Sequence, residues 1–258
     1  MEGDRGPVRA AVAAGLALVL AVPTVAGAAE LTVLSARGVR QVIAAVADDF
    51  QRTARHTIWL GYPGSEGLVP RATATLADVV VAPLSDIEEL EARGVVEHGT
   101  RVVLGRVSLG IAVRAGMPPP DVSTSTKLRR TVLVATSLAY VDPERDAIGR
   151  HVGDSLAAIG VALLVRPKTT FVTEGARAVE AVGRGDVTLA IAGITEIRGV
   201  QGVAFAGSLP AELQHTVVYA AAIHARSGIR DAATELLKHL GGDSARARLT
   251  AGGLEPVR

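Results

Sequence analysis

The residues with the most chemical promise lie at a junction. "LTVLSARGV" (31–39) runs from an apolar, strand-like stretch through Ser35, Ala36, Arg37 and Gly38 into a helical pattern. A helix start carries unpaired backbone N–H groups and the positive end of the helix dipole, so a small hydroxyl residue beside a glycine suits an anion there. A tight strand-to-helix turn in any α/β protein uses the same residues, so the junction alone does not decide. Arg37 at its tip either faces a ligand and balances its charge or lies in solvent. "YPGSEGL" (62–68) holds a second hydroxyl, Ser65, in a turn that includes Gly67. Other chemistries lack a starting residue. The six histidines, at 56, 98, 151, 215, 224 and 239, show no close helical pairing of the kind a metal site uses. His215 and Arg226 bracket an apolar strand and read as surface groups. There is no G-x-S-x-G elbow, Walker-type loop or cysteine, hence no evident nucleophile, nucleotide loop, thiolate ligand or disulfide. Asp142 and Glu144 in "VDPER" read as turn and capping residues, not as a catalytic pair.

The elements that must position these residues follow from periodicity. Val39, Val42, Ile43, Val46 and Phe50 recur at helical spacing and share one buried face. Strand-like runs alternate with helical ones: "TIWLGYP" (57–63) precedes a helix near 68–76, and "ADVVVAP" (77–83) precedes a helix that opens at Ser85, carries Glu88 in capping-box spacing and stops at Gly94. A strand from Val107 to Val113 ends at Gly116 and Pro118 to Pro120, a break or domain entry. A second alternating set follows: "SLAYVD" (137–142), a helix from about Ile148 to Ile159, "VALLV" (161–165), the helix "EGARAVEAVGRG" (174–185) and "VTLAIAG" (187–193). "HTVVYAAAIHA" (215–225) then reads as a strand followed by two helices. Strands joined by helices imply parallel sheets covered on both faces. Two such units with a trailing segment that returns to the first make a hinged, two-lobed protein whose cleft is the natural ligand site.

Composition narrows the classes. With 27 Lys and Arg against 26 Asp and Glu and no long basic run, nucleic acid is excluded as a partner. Aromatic residues make up 3% of the chain, which disfavours a site built on ring stacking and favours one built on hydrogen bonds. Arg5 and Arg9 precede the short apolar run "AAVAAGLALVLAV", and Ala26-Gly27-Ala28 follows. This is the pattern of a secretory signal over residues 1–28, cleaved after Ala28, with an uncleaved anchor as the alternative.

From Glu30 onward the chain resembles the periplasmic substrate-binding proteins of ABC importers, specifically the molybdate-binding family of type II fold. The matching stretches are "LTVLSARGV", "ADVVVAP", "GIAVRAGMPPPDVST", "SLAYVDPE", "RPKT", "EGARAVEAVGRGDVTLAIAGITEI", "LPAELQ" with "TVVYAAAI", and "LTAGGLEP". The resemblance implies an α/β fold of two doubly wound sheets joined by a two-strand hinge, with crossings near Val107–Val113 and Val217–Ile223. One lobe would be 29–108 with 218–258, the other 109–217. It further implies a small oxyanion, molybdate or a similar one, held without cofactor or metal ligand. Ser35, Ala36, Arg37, Gly38, Ser65 and Gly67 would supply one wall of the cradle, and Ile148, Ala176 and Gly193 the other. A monomeric, non-enzymatic periplasmic protein that serves an ABC permease and ATPase is the implied role. Two departures stand out: Gly38 replaces a serine hydroxyl, and Ala192-Gly193 replaces the tyrosine or glutamine donors of transport-competent members. They leave open a small organic acid as ligand, a partner-binding or sensor role, or, less favoured, an enzyme.

Overall fold

The computed structural model of the chain describes residues 27–63 and 67–257. The signal expected over 1–28 therefore lies almost wholly outside the described residues, as does Ser65. Within them the strands are β1 (Glu30–Ser35), β2 (Thr57–Gly61), β3 (Val79–Pro83), β4 (Val102–Arg114), β5 (Leu138–Val141), β6 (Thr169–Val172), β7 (Leu189–Gly193), β8 (Val203–Ser208) and β9 (Thr216–Ile223). The helices are α1 (Arg40–Ala54), α2 (Leu68–Ala74), α3 (Leu84–Ala92), α4 (Ser125–Val134), α5 (Ala147–Ala158), α6 (Ala162–Val165), α7 (Gly175–Arg184), α8 (Ile194–Ile197), α9 (Arg230–Gly241) and α10 (Asp243–Ala251).

The strand order is β2-β1-β3-β9-β4-β7-β5-β6, with β8 also on β4. Strand β4 is the pivot. Its first half, Val102 to Ser108, pairs with β9, and its second half, from Leu109, pairs with β7. The result is two sheets that share one long strand, each covered on both faces. In the first, Val42, Val46 and Phe50 of α1 meet Leu236 and Leu240 of α9 against β1 and β3. Leu68 of α2 and Ile87 and Leu90 of α3 cover the other face. In the second, Leu128, Val132, Val152 and Leu156 cover one face and Val179, Val182 and Ile197 the other. Each such side chain, taken from water, contributes roughly 1.5–3 kcal/mol.

Three local expectations are corrected. The sheets are mixed rather than purely parallel, because β4, β8 and β9 run antiparallel to their neighbours. They are the strands that pass between the lobes or fold back from them. "VALLV" is helical: Gly160, at φ 69°, turns the chain after α5, and Leu163 and Leu164 of α6 are 85% and 61% exposed. The strand in that place is β6, an edge strand whose polar threonines hid it. Helix α3 begins at Leu84 after Pro83 with no side-chain cap, and Ser85 lies inside its first turn.

Candidate functional site

Where β1 ends, the N–H of Ala36 donates to the Val81 carbonyl at 2.8 Å, which holds the chain as it leaves the sheet. The 3-10 turn Arg37–Val39 follows. Gly38 leaves room there for Tyr219, which reaches over from β9: a Cβ would lie 2.9 Å from its hydroxyl oxygen, so the tyrosine would have to shift. Opposite stand the starts of three second-lobe helices. Asp146 caps α5, its Oδ1 accepting from the N–H groups of Ile148 at 2.7 Å and Gly149 at 3.1 Å. Glu174 precedes α7 without capping it through its side chain. It reaches across the cleft instead, with Oε1 2.7 Å from Arg37 Nη1. Thr195 of α8 makes a second bridge, donating from Oγ1 to the Gly38 carbonyl at 2.6 Å.

These walls enclose a cavity of about 210 Å³ whose lining includes Arg37, Gly38, Asp146, Glu174, Glu196, His215 and Tyr219. It is smaller than the roughly 300–1,000 Å³ of drug-sized sites and suits a small ligand. A larger depression of about 840 Å³ lies beside α4, lined by Met117, Val134 and Leu189 among others, and it is away from the junction of the two sheets.

Glu196 is the centre of the electrostatics. Its Oε1 accepts from the Ala176 N–H and its Oε2 from the Gly193 N–H, each at 3.1 Å. Its position deep in the protein raises its pKa to about 7, and the nearby Asp146 and Glu174 push the same way, while the two backbone bonds oppose the rise. Tyr219 is 9% exposed. Burial, and then the charge of Glu196, moves its pKa upward, so its hydroxyl stays a donor. Burial, and then His151, whose ring centroid is 4.9 Å away, lowers the pKa of His215.

The sequence-predicted residues are therefore distributed unevenly. Arg37, Gly38, Ile148 and Gly193 line the cavity. Ser35 is fully buried, and its hydroxyl donates to the Ala36 carbonyl at 3.2 Å. Ala36, Gly67 and Ala176 are not among the lining residues. The N–H groups of Ile148 and Ala176, expected to face a ligand, donate to Asp146 and Glu196 within the chain. His215 is a half-buried cleft residue and not a surface group, whereas Arg226 is exposed, donating to the Thr73 carbonyl at 3.1 Å. Glu174, Glu196 and Tyr219 were missed. The signal for Glu196 was present in "GITE", where a glutamate three residues after a strand-ending glycine reaches back to its N–H.

Comparison with known proteins adds the family context. A model of the bacterial extracellular solute-binding protein family matches residues 31–255. A Pseudomonas sp. protein named aconitate isomerase is 28% identical over 243 residues, 88% of each chain. The fold is like that of the Azotobacter vinelandii periplasmic molybdate-binding protein, with a TM-score of 0.71 and 16% identity over 88% of this chain and all of that one. It is also like the sulfate-binding protein of Mycobacterium tuberculosis, with a TM-score of 0.65 and 17% identity over 89% and 87% of the two chains.

Proposed function

The chain belongs to the bacterial extracellular solute-binding proteins, and on that premise we propose that it captures a small organic acid in the cleft between its lobes for an ABC permease and ATPase. The lobes in this reading are residues 29–108 with 218–258, and residues 109–217. The observation that carries the ligand class is Arg37, a guanidinium at the cavity wall already engaged by the carboxylate of Glu174. A planar guanidinium matches a carboxylate in a fork of parallel hydrogen bonds. A ligand carboxylate that takes over the place of Glu174 preserves that pairing, and the Tyr219 hydroxyl supplies a further donor. The relative named aconitate isomerase supports an organic acid as well.

Molybdate or a similar oxyanion remains the reading favoured by the fold likeness alone. Engagement of the Ile148 and Ala176 N–H groups by internal carboxylates weighs against it. An isomerase is the second reading, favoured by Glu196: a carboxyl group with a pKa near 7 is suited to taking and returning a proton at neutral pH.

Thermal unfolding against cis-aconitate, trans-aconitate, citrate, molybdate and sulfate separates these readings. A ligand at 100 times its Kd adds about 2.7 kcal/mol. At least one carboxylate is expected to raise the midpoint of the wild type, and Arg37→Ala to weaken that ligand tenfold or more. A shift with molybdate alone overturns the organic-acid reading. Conversion of cis- to trans-aconitate, followed by NMR, is the signature of the isomerase.

A further inference from the structure

We propose that Glu196 sets which anions the cleft admits: its carboxylate is a tethered occupant of the backbone N–H groups of Ala176 and Gly193, and while ionised it excludes sulfate and molybdate. This rests on the reading of the cleft as an anion site and names the residue that decides its selectivity.

The geometry is that of a built-in ligand. The two oxygens of one carboxylate divide between two N–H groups from different elements, each at 3.1 Å. One is at the start of the ten-residue α7 and the other at the end of β7. Space for this arrangement is reserved in the sequence. A Cβ at Gly175 would lie 2.2 Å from Glu196 Oε2, so any side chain there would displace the carboxylate. Independently, the hydroxyl of Tyr219, a residue only 9% exposed, lines the same cavity with no hydrogen bond among the described residues. It is a donor left available where the chain's own carboxylate has taken the other two.

A small tetrahedral dianion needs several donors at once, because water hydrates it strongly and each bond lost is felt. Here it would have to displace Glu196 or sit beside it. The other charged and titratable groups facing Glu196 do not relieve the repulsion. Asp146 from the start of α5 and Glu174 from the start of α7 are acidic, Arg37 is already paired with Glu174, and Tyr219 and His215 come from β9 and the residue before it. A longer organic acid differs because it can place a carboxylate on Arg37 without entering the two-donor cradle.

The test is sulfate binding by calorimetry, since sulfate keeps its double charge from pH 5.5 to 8.5. Wild-type affinity is expected to fall about tenfold per pH unit above about pH 7 as Glu196 ionises. Burial, and then His151, lowers the pKa of His215 from its ordinary 6.5, so above about pH 7, where the fall is expected, its titration does not compete. Glu196→Gln, nearly isosteric, is expected to bind sulfate at least tenfold tighter than wild type at pH 8.5, with no such pH dependence. The wild-type pH series stands even if the variant does not fold. If trans-aconitate binds but sulfate affinity neither depends on pH nor rises in the folded variant, the proposal is overturned and the anion-site reading survives. If neither protein binds either probe at any pH, both are overturned.

Discussion

Glu196 has a cost in stability as well as a consequence for ligands. Its pKa rises from an ordinary 4.5 to about 7 on folding, so the folded chain holds this proton more tightly than the unfolded one. The stabilisation linked to that proton is fully present below about pH 4.5 and is lost as pH rises through about 7, with an upper value of roughly 3 kcal/mol. Glu196→Gln removes the titration. The variant's melting temperature is expected to gain on the wild type between pH 5 and pH 8 in urea or thermal melts. A constant difference across that range would show that the site does not titrate there. The same residue shows how much of the site could be read from the sequence. Arg37 and Gly38 were legible because a glycine-rich strand-to-helix junction announces itself locally. Tyr219 and Glu174 were not, because each owes its role to what the other lobe brings opposite it, and Glu196 was legible only in part, since "GITE" announces its bond to Gly193 but not the one to Ala176. Tyr219 sits in an apolar strand that reads as core, and "AG" at 192–193 reads as lost donors until Glu196 is seen to fill the place.

At the scale of elements, the site depends on α5 starting close against β5. A Cβ at Gly149 would lie 2.3 Å from the Val141 carbonyl oxygen, so only glycine allows the approach. Asp146 fixes the start by accepting from two N–H groups. Asp146→Ala is expected to cost about 1 kcal/mol, within the ordinary range for a lost N-cap. It also frees the Ile148 N–H toward the cavity, so denaturant melts should show modest destabilisation while oxyanion affinity rises. Destabilisation with unchanged oxyanion affinity would confine Asp146 to capping. The helices were the more legible elements because each carries its own pattern: the apolar face of α1 and the terminal Gly185 of α7 are local signals. Strand partners were less so. Nothing near Ser108 marks where β4 exchanges β9 for β7, and β6 at the sheet edge carries little apolar signal.

For the whole molecule, the question is what holds the lobes together before a ligand arrives. Among the described residues, two polar links cross the cleft: Arg37 to Glu174 at 2.7 Å, and Thr195 to the Gly38 carbonyl at 2.6 Å. The first is partly exposed, with 36% of the Arg37 side chain open to solvent, and an ion pair of that kind contributes roughly 0.2–1 kcal/mol. The second is better protected, since Thr195 is 2% exposed. Such links bias a hinge without locking it, and a bound carboxylate that takes over Arg37 keeps the lobes joined through itself. Glu174→Ala removes the internal competitor and one link together. It is expected to enlarge the radius of gyration in small-angle scattering without ligand, and an organic acid is expected to restore the compact value, whereas the wild type changes little on binding. Equal radii for variant and wild type would place closure in the packing of Ile194 against Gly253, where a Cβ on the glycine would come within 2.7 Å of the isoleucine side chain. The Arg37 bridge would then serve the ligand alone.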